Sequence, residues 1–206
     1  MKNHLIKLLA LLLWATAIPA VQAVPLLSIS PNPASVAVGG TTVMDVNVSG
    51  LTAEGEIVSA FDLDLYFNGG LLDSSLVDFN LALFGGAGSV LSDAVYGSGL
   101  LQVFLSSELN DDAIAALQGD VVRLFSFTLT GMADGSSFVS FGPDPDFERA
   151  VLGRDLELLN NAVAGACVAV GGGTCRQVPE PQTDALLVIA LLAMLAVTAR
   201  RRRLPL

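Results

Sequence analysis

Phe61-Asp62-Leu63-Asp64-Leu65-Tyr66 places an apolar side chain at every second position, with two carboxylates and a phenol between them. Successive side chains of a strand point to opposite faces, so this stretch predicts a strand with one dry face and one wet one. The same period recurs in Met44, Val46 and Val48, interleaved with Asp45 and Asn47, and in Phe125, Phe127 and Leu129, interleaved with Ser126 and Thr128. Further apolar strands are expected near residues 26–29, 36–38, 90–95, 101–105, 138–141 and 162–170. Between them lie Pro31-Asn32-Pro33, Gly39-Gly40, Asn68-Gly69-Gly70, Gly85-Gly86, Gly97-Ser98-Gly99 and Asp134-Gly135, residues that tolerate turns or positive φ. One segment departs from this rhythm. Asn110 or Asp111 can cap a helix, Ile114 and Leu117 stand at helical spacing, and Gly119 stops it, which predicts a short helix over 110–118. Short alternating strands and regular glycine turns predict an all-β chain: a single antiparallel β-sandwich of the jelly-roll kind.

The two ends follow a different logic. Lys2 and Lys7 precede an apolar run from Leu8 to Ile18, Pro19 breaks it, and Val21-Gln22-Ala23 ends in small residues. The run is short for a span of about 20 residues, so residues 1–23 are read as a signal helix removed by signal peptidase. Near the other end, residues 185–199 are apolar apart from Thr198, and Arg200, Arg201, Arg202 and Arg203 follow at once. Four consecutive guanidinium groups hold that side in the cytoplasm while the middle of the chain is exported. The organisation expected is a signal peptide (1–23), a sandwich domain (24–164), a glycine-rich stem (165–177) and a membrane-directed tail (178–206).

Residues 24–177 contain 18 acidic residues against Arg123, Arg149, Arg154 and Arg176, a net charge of −14, with no lysine and no histidine. Such a surface has nothing to neutralise phosphates and excludes nucleic-acid binding. Without histidine or lysine, serine and cysteine nucleophiles lack their usual base. Paired carboxylates remain available for glycoside hydrolysis, but nothing singles out one pair, so no catalytic residue is assigned and the enzyme reading is set aside. Cys167 and Cys175, separated by Gly171-Gly172-Gly173, are expected to form a disulfide in an oxidising compartment. They are not spaced C-x-x-C as a redox pair would be, and no histidine in the exported part completes a zinc site. Asp144, Asp146 and Glu148 gather hard oxygen donors in one proline-flanked loop, a candidate calcium site, although the spacing is not that of an EF-hand. No other cofactor is expected.

Val178-Pro179-Glu180-Pro181, an apolar segment and Arg200 to Arg203 stand in an order that resembles the PEP-CTERM sorting signal of Gram-negative bacteria. The resemblance implies recognition by exosortase, a membrane-embedded processing enzyme, and cleavage near Pro-Glu-Pro. It also implies an inner-membrane-anchored precursor whose mature form lies at the cell surface or outside it. The physics agrees: two prolines keep the site extended, and fifteen helical residues span roughly 22 Å, less than the roughly 30 Å hydrocarbon core.

The exported domain resembles a cohesin-like module in three stretches: Leu27-Ser28-Ile29-Ser30-Pro31 leading to Val38-Gly39-Gly40, the strand from Ile57 to Phe67, and Gly119-Asp120-Val121-Val122 leading to Phe125 through Leu129. Cohesins take up a dockerin helix pair on a sandwich face and are related to carbohydrate-binding modules. The resemblance therefore implies binding of another exported protein or an exopolysaccharide. Sugar binders usually present aromatic platforms. Here the sole tryptophan, Trp14, lies in the signal and the tyrosines are only Tyr66 and Tyr96, which favours a protein contact. The alternative is a structural acidic component of an extracellular or biofilm matrix, without a specific ligand.

Overall fold

The structure is a computed structural model and describes residues 24–175. The signal helix, the Val178–Pro181 motif, the apolar tail segment and Arg200–Arg203 lie outside the described residues. Within them no helix is long and apolar enough to cross a membrane.

Among the described residues twelve strands form two sheets: β1 (Leu26–Asn32), β2 (Ser35–Val36), β3 (Thr41–Ser49), β4 (Ala60–Tyr66), β5 (Leu72–Phe79), β6 (Val90–Gly97), β7 (Leu100–Ser107), β8 (Val121–Gly131), β9 (Gly135–Phe141), β10 (Arg149–Leu152), β11 (Ala162–Ala164) and β12 (Ala166–Val170). The first sheet has the order β11-β1-β3-β8-β5, and the second β2-β12-β9-β4-β7-β6, with β10 also paired to β4. The chain is mostly β, as expected, but the sheets are mixed: β11 runs parallel to β1, and β12 parallel to β2.

The alternating side chains do what their period requires. Met44, Val46 and Val48 of β3, Phe61, Leu63 and Leu65 of β4, and Phe125, Phe127 and Leu129 of β8 are all buried between the sheets. Four rings knit the centre: Phe61 stacks on Phe125 at 5.7 Å, with Phe84 edge-on to Phe61 at 6.0 Å and Phe127 tilted against Phe125 at 6.1 Å. Such pairs add about 0.5–1.5 kcal/mol each to the area they bury.

Strand β5 was not legible as a strand, and its geometry explains why. Leu76 sits at φ 47° as a bulge, 74% exposed, between Ser75 and Val77. Before it Leu72 and Ser74 face inward, and after it Val77 and Phe79 do, so the period of two is broken in mid-strand. A second bulge in the β3–β8 ladder lets both Leu124 and Phe125 enter the core.

Among the described residues two short α-helices stand where one was expected. Helix α1 (Leu51–Glu54) is bracketed by Gly50 at φ 83° and Gly55 at φ 69°, conformations that favour glycine. Helix α2 is Asp111–Ala115, shorter than the 110–118 expected: Asn110 caps it, its Oδ1 accepting from the Ala113 N–H at 2.9 Å, and Ile114 is buried. Leu117 lies beyond the helix and is largely exposed.

The range read as a stem, 165–177, opens on a strand. Strand β12 begins at Ala166, pairs with β9 from Ala166↔Val139 to Val170↔Gly135, and buries Val168 and Val170 completely. Gly165 is instead the crossing point between β11 in one sheet and β12 in the other. A Cβ there would lie 2.5 Å from the Val139 carbonyl oxygen, so only glycine fits the close approach. The compact unit containing the sandwich ends at Thr174.

Candidate binding face

The outer faces of both sheets expose apolar and charged side chains. On the first sheet, Arg123 of β8 is flanked by Asp45 at 3.5 Å and Asp78 at 3.9 Å, and Val43, Leu76 and Val121 are exposed on the same sheet. Exposed ion pairs of that kind contribute little.

The outer face of the second sheet reads differently when followed across the strands. One row runs Leu91, Ser106, Ala60 and Leu152 through β6, β7, β4 and β10. The next runs Asp93, Phe104, Asp62 and Ala150, placing the half-buried Phe104 ring between two exposed carboxylates. A third has Val95, Gln102 and Asp64, and a fourth Gly97, Leu100, Tyr66 and Ser140. Phe138 continues the same face of β9 and is 61% exposed, while Leu91 is 66% and Val95 55% exposed. Leu91, Val95 and Phe138 are left uncovered by the other described elements. Exposed apolar side chains set among carboxylates on a pleated sheet suit docking.

Local interactions hold the face in shape. Gln102 Nε2 donates to Asp64 Oδ1 at 3.0 Å across the β4–β7 ladder, and the Asp64 N–H donates to the Glu148 carbonyl at 2.8 Å. Asp64 is thus buried and satisfied although it points outward. Partial burial raises the Asp62 carboxyl above its ordinary value, and the neighbouring Asp64 adds to the shift. The Tyr66 hydroxyl donates to Glu148 Oε1 at 3.0 Å, and this bond, which the phenolate would lose, is the main cause of its raised pKa. Tyr96 faces away from the row: its hydroxyl accepts from the Val77 N–H at 3.0 Å and closes the seam between β5 and β6.

The Asp144–Glu148 loop does not assemble the expected calcium ligands. Asp144 Oδ1 accepts from the Asp146 N–H at 2.9 Å, and Glu148 Oε2 from the Asp144 N–H at 3.1 Å, while Oε1 takes the Tyr66 proton. The Asp144 and Glu148 carboxylates are thus engaged in hydrogen bonds to the loop backbone and to Tyr66. Among the described residues no three His, Cys, Asp or Glu side chains converge as a metal-ligand set. Cys167 stands on β12 opposite Phe138, Cys175 ends the described chain, and neither is a free thiol: both are disulfide-bonded.

Topology and faces together decide the comparison with known folds. The fold is cohesin-like. It is similar to the cohesin module of a family 33 glycoside hydrolase from Clostridium perfringens (TM-score 0.56, 13% identity, 73% of this chain and 98% of that one). It is equally similar to the type I cohesin–dockerin complex from Clostridium thermocellum (0.56, 14%, 73% and 95%). A type II cohesin domain from the cellulosome of Acetivibrio cellulolyticus matches likewise (0.56, 13%, 71% and 95%). No protein-family profile and no curated protein sequence matches the chain. On this face, alternation in the sequence turns Asp62, Asp64 and Tyr66 outward, whereas residues 101–105 read only as an apolar strand. The exposure of Leu91, Val95 and Phe138 had no sequence signal, because apolar residues in an apolar strand read as core.

Proposed function

We propose that this chain is an exported binding module whose cohesin-like domain docks another exported protein on the outer face of β9, β4, β7 and β6. The observation carrying the reading is the set of outward apolar side chains Leu91, Val95 and Phe138 with the half-buried Phe104, which has Asp62 and Asp93 on either side. Aromatic and aliphatic anchors set among charges are the usual makings of a docking hot spot. The carboxylates ask for a partner that brings lysine or arginine beside an apolar ridge, as one face of an amphipathic helix does. Cohesins among the similar structures are seen in complex with dockerins, which supports a protein partner. The test is capture from the extracellular fraction by the wild-type protein and by a Phe104→Ala/Leu91→Asp variant, with binding followed by titration. A saturable partner lost in the variant is the expected result. Equal capture by both proteins refutes the assignment of this face.

Export and trimming complete the proposal and rest on sequence. Signal peptidase removes residues 1–23, and exosortase acts at Val178-Pro179-Glu180-Pro181 on a precursor held in the inner membrane by its tail and Arg200–Arg203. The mature protein then resides at the cell surface or in the extracellular matrix. Mass spectrometry of the mature C-terminus tests this: recovery of intact Arg200–Leu206 from surface material overturns it. The net charge of −14 over residues 24–177 favours a second reading, an acidic matrix component holding water and cations. Salt-dependent capture that never saturates is the result that selects it.

A further inference from the structure

Each of the two sheets ends in two edges, and a bare edge offers unpaired N–H and C=O groups to any extended chain. Three of the four edges are blunted. Strand β2 has two residues and β11 three. Strand β5 carries Asp73 and Asp78, is bent by the bulge at Leu76, and its Val77 N–H is taken by the Tyr96 hydroxyl at 3.0 Å. Strand β6 has none of these protections. Its eight residues, Val90-Leu91-Ser92-Asp93-Ala94-Val95-Tyr96-Gly97, pair with β7 in unbroken register and include no lysine, no proline and one charge, Asp93.

Pairing parity shows which backbone groups are free. The two-residue turn Ser98-Gly99 joins β6 to β7, so Gly97 and Leu100 are the closing hydrogen-bonded pair. The odd-numbered residues of β6 therefore bond to β7, and just before the strand the Ser89 carbonyl keeps that parity by accepting from the Glu108 N–H at 2.8 Å. Val90, Ser92, Ala94 and Tyr96 turn their N–H and C=O groups the other way. Among the described residues only one of those groups is met: the Ala94 N–H, by Asp93 Oδ1 at 2.8 Å.

The side chains say what kind of segment fits. Leu91, Asp93 and Val95 stand on the outer side of β6, all exposed. Toward an added antiparallel strand they hold the non-hydrogen-bonded positions, where opposed side chains come closest. A segment with apolar residues opposite Leu91 and Val95 and lysine or arginine opposite Asp93 complements all three. Its cation also competes for the carboxylate that holds the Ala94 N–H. A second copy of β6 is a poorer match, because it brings another Asp93 on another strongly acidic domain and no cation.

We infer that the free edge of β6 takes an extended segment of a second protein as an added strand, patterned apolar-x-basic-x-apolar opposite Leu91, Asp93 and Val95. The bonds are made by the backbone edge, so the inference stands whether or not a partner docks on the outer face.

The test uses the ¹⁵N-labelled full chain in a zwitterionic detergent and two capped peptides, SVTKTVS and SVTETVS. Ser92→Pro removes an outward N–H and no ladder bond, a change that edge strands accept, and it identifies the Ser92 signal by its loss. With the lysine peptide, saturable shifts and slowed solvent exchange of the Ser92 and Tyr96 N–H groups are expected. The glutamate peptide should bind severalfold more weakly. Ser92→Pro should weaken the lysine peptide by about tenfold, and Asp93→Lys should reverse the order of the two peptides. If Ser92→Pro does not fold, the reversal in Asp93→Lys decides alone. Unslowed exchange at Ser92 and Tyr96, an unchanged affinity in folded Ser92→Pro, or the same peptide order in Asp93→Lys each overturns the inference. Exchange at these groups that slows with protein concentration, without peptide, assigns the edge to a second copy and likewise overturns it.

Discussion

Replacing Gln118 by alanine should destabilise the domain by about 2–4 kcal/mol, far more than a half-buried surface residue ordinarily costs. Gln118 lies beyond α2, yet its amide works like a neighbouring strand for residue 58: Oε1 accepts from the Val58 N–H at 2.8 Å, and Nε2 donates to the Val58 carbonyl at 2.8 Å and to Leu83 O at 3.2 Å. Val58 is completely buried, so truncation leaves its N–H without a partner, at about 1–3 kcal/mol, and strips two carbonyls of a donor at a smaller cost each. With a urea slope of about 1–3 kcal/mol/M, the midpoint should fall by about 1–2 M. Gln118→Glu sharpens the test. At neutral pH the carboxylate still accepts from Val58 N–H but meets two carbonyls with no proton to give. Its folded pKa should therefore be raised. The stability it supplies is present below the ordinary glutamate pKa of about 4.3 and is lost as pH rises through the raised value. Urea denaturation by circular dichroism at both pH values decides the matter. A loss under about 0.5 kcal/mol in Gln118→Ala, or a Glu variant indifferent to pH, refutes the bridging role.

Asp120 accepts from the Thr52 hydroxyl at 2.6 Å and the Thr52 N–H at 3.2 Å, which lower its pKa, the hydroxyl most. Its stabilisation is thus present above the ordinary value of 3.8 and lost as pH falls through the lowered one, so Asp120→Asn should flatten the acid limb of stability; superimposable curves would count against it. Gly165→Ala should cost about 2 kcal/mol or more, because its methyl meets the Val139 carbonyl oxygen at 2.5 Å, and an unchanged melting temperature would contradict the crossing geometry. A chain ending at Gly165 should fail to unfold cooperatively, having lost β12, whereas one ending at Cys175 should keep a sharp transition. Protease resistance of the shorter chain equal to the longer would return β12 to a dispensable stem.

Sequence alone settled the character of this domain, because burial on a pleated strand imposes a period of two that Met44–Val48, Phe61–Tyr66 and Phe125–Leu129 display openly. Charge, too, is additive and needs no coordinates, so the acidity of residues 24–177 and the classes of partner it excludes were legible at once. Tertiary structure decided what depends on which strand lies beside which. The bulge at Leu76 hid β5 by shifting its parity, and Gly165 made two strands in two sheets of what reads as one apolar run. The outer face that carries Leu91, Asp62, Phe104 and Phe138 joins residues distant along the chain. No local period encodes such encounters; they exist only once the sheets have stacked and the loops between them have closed.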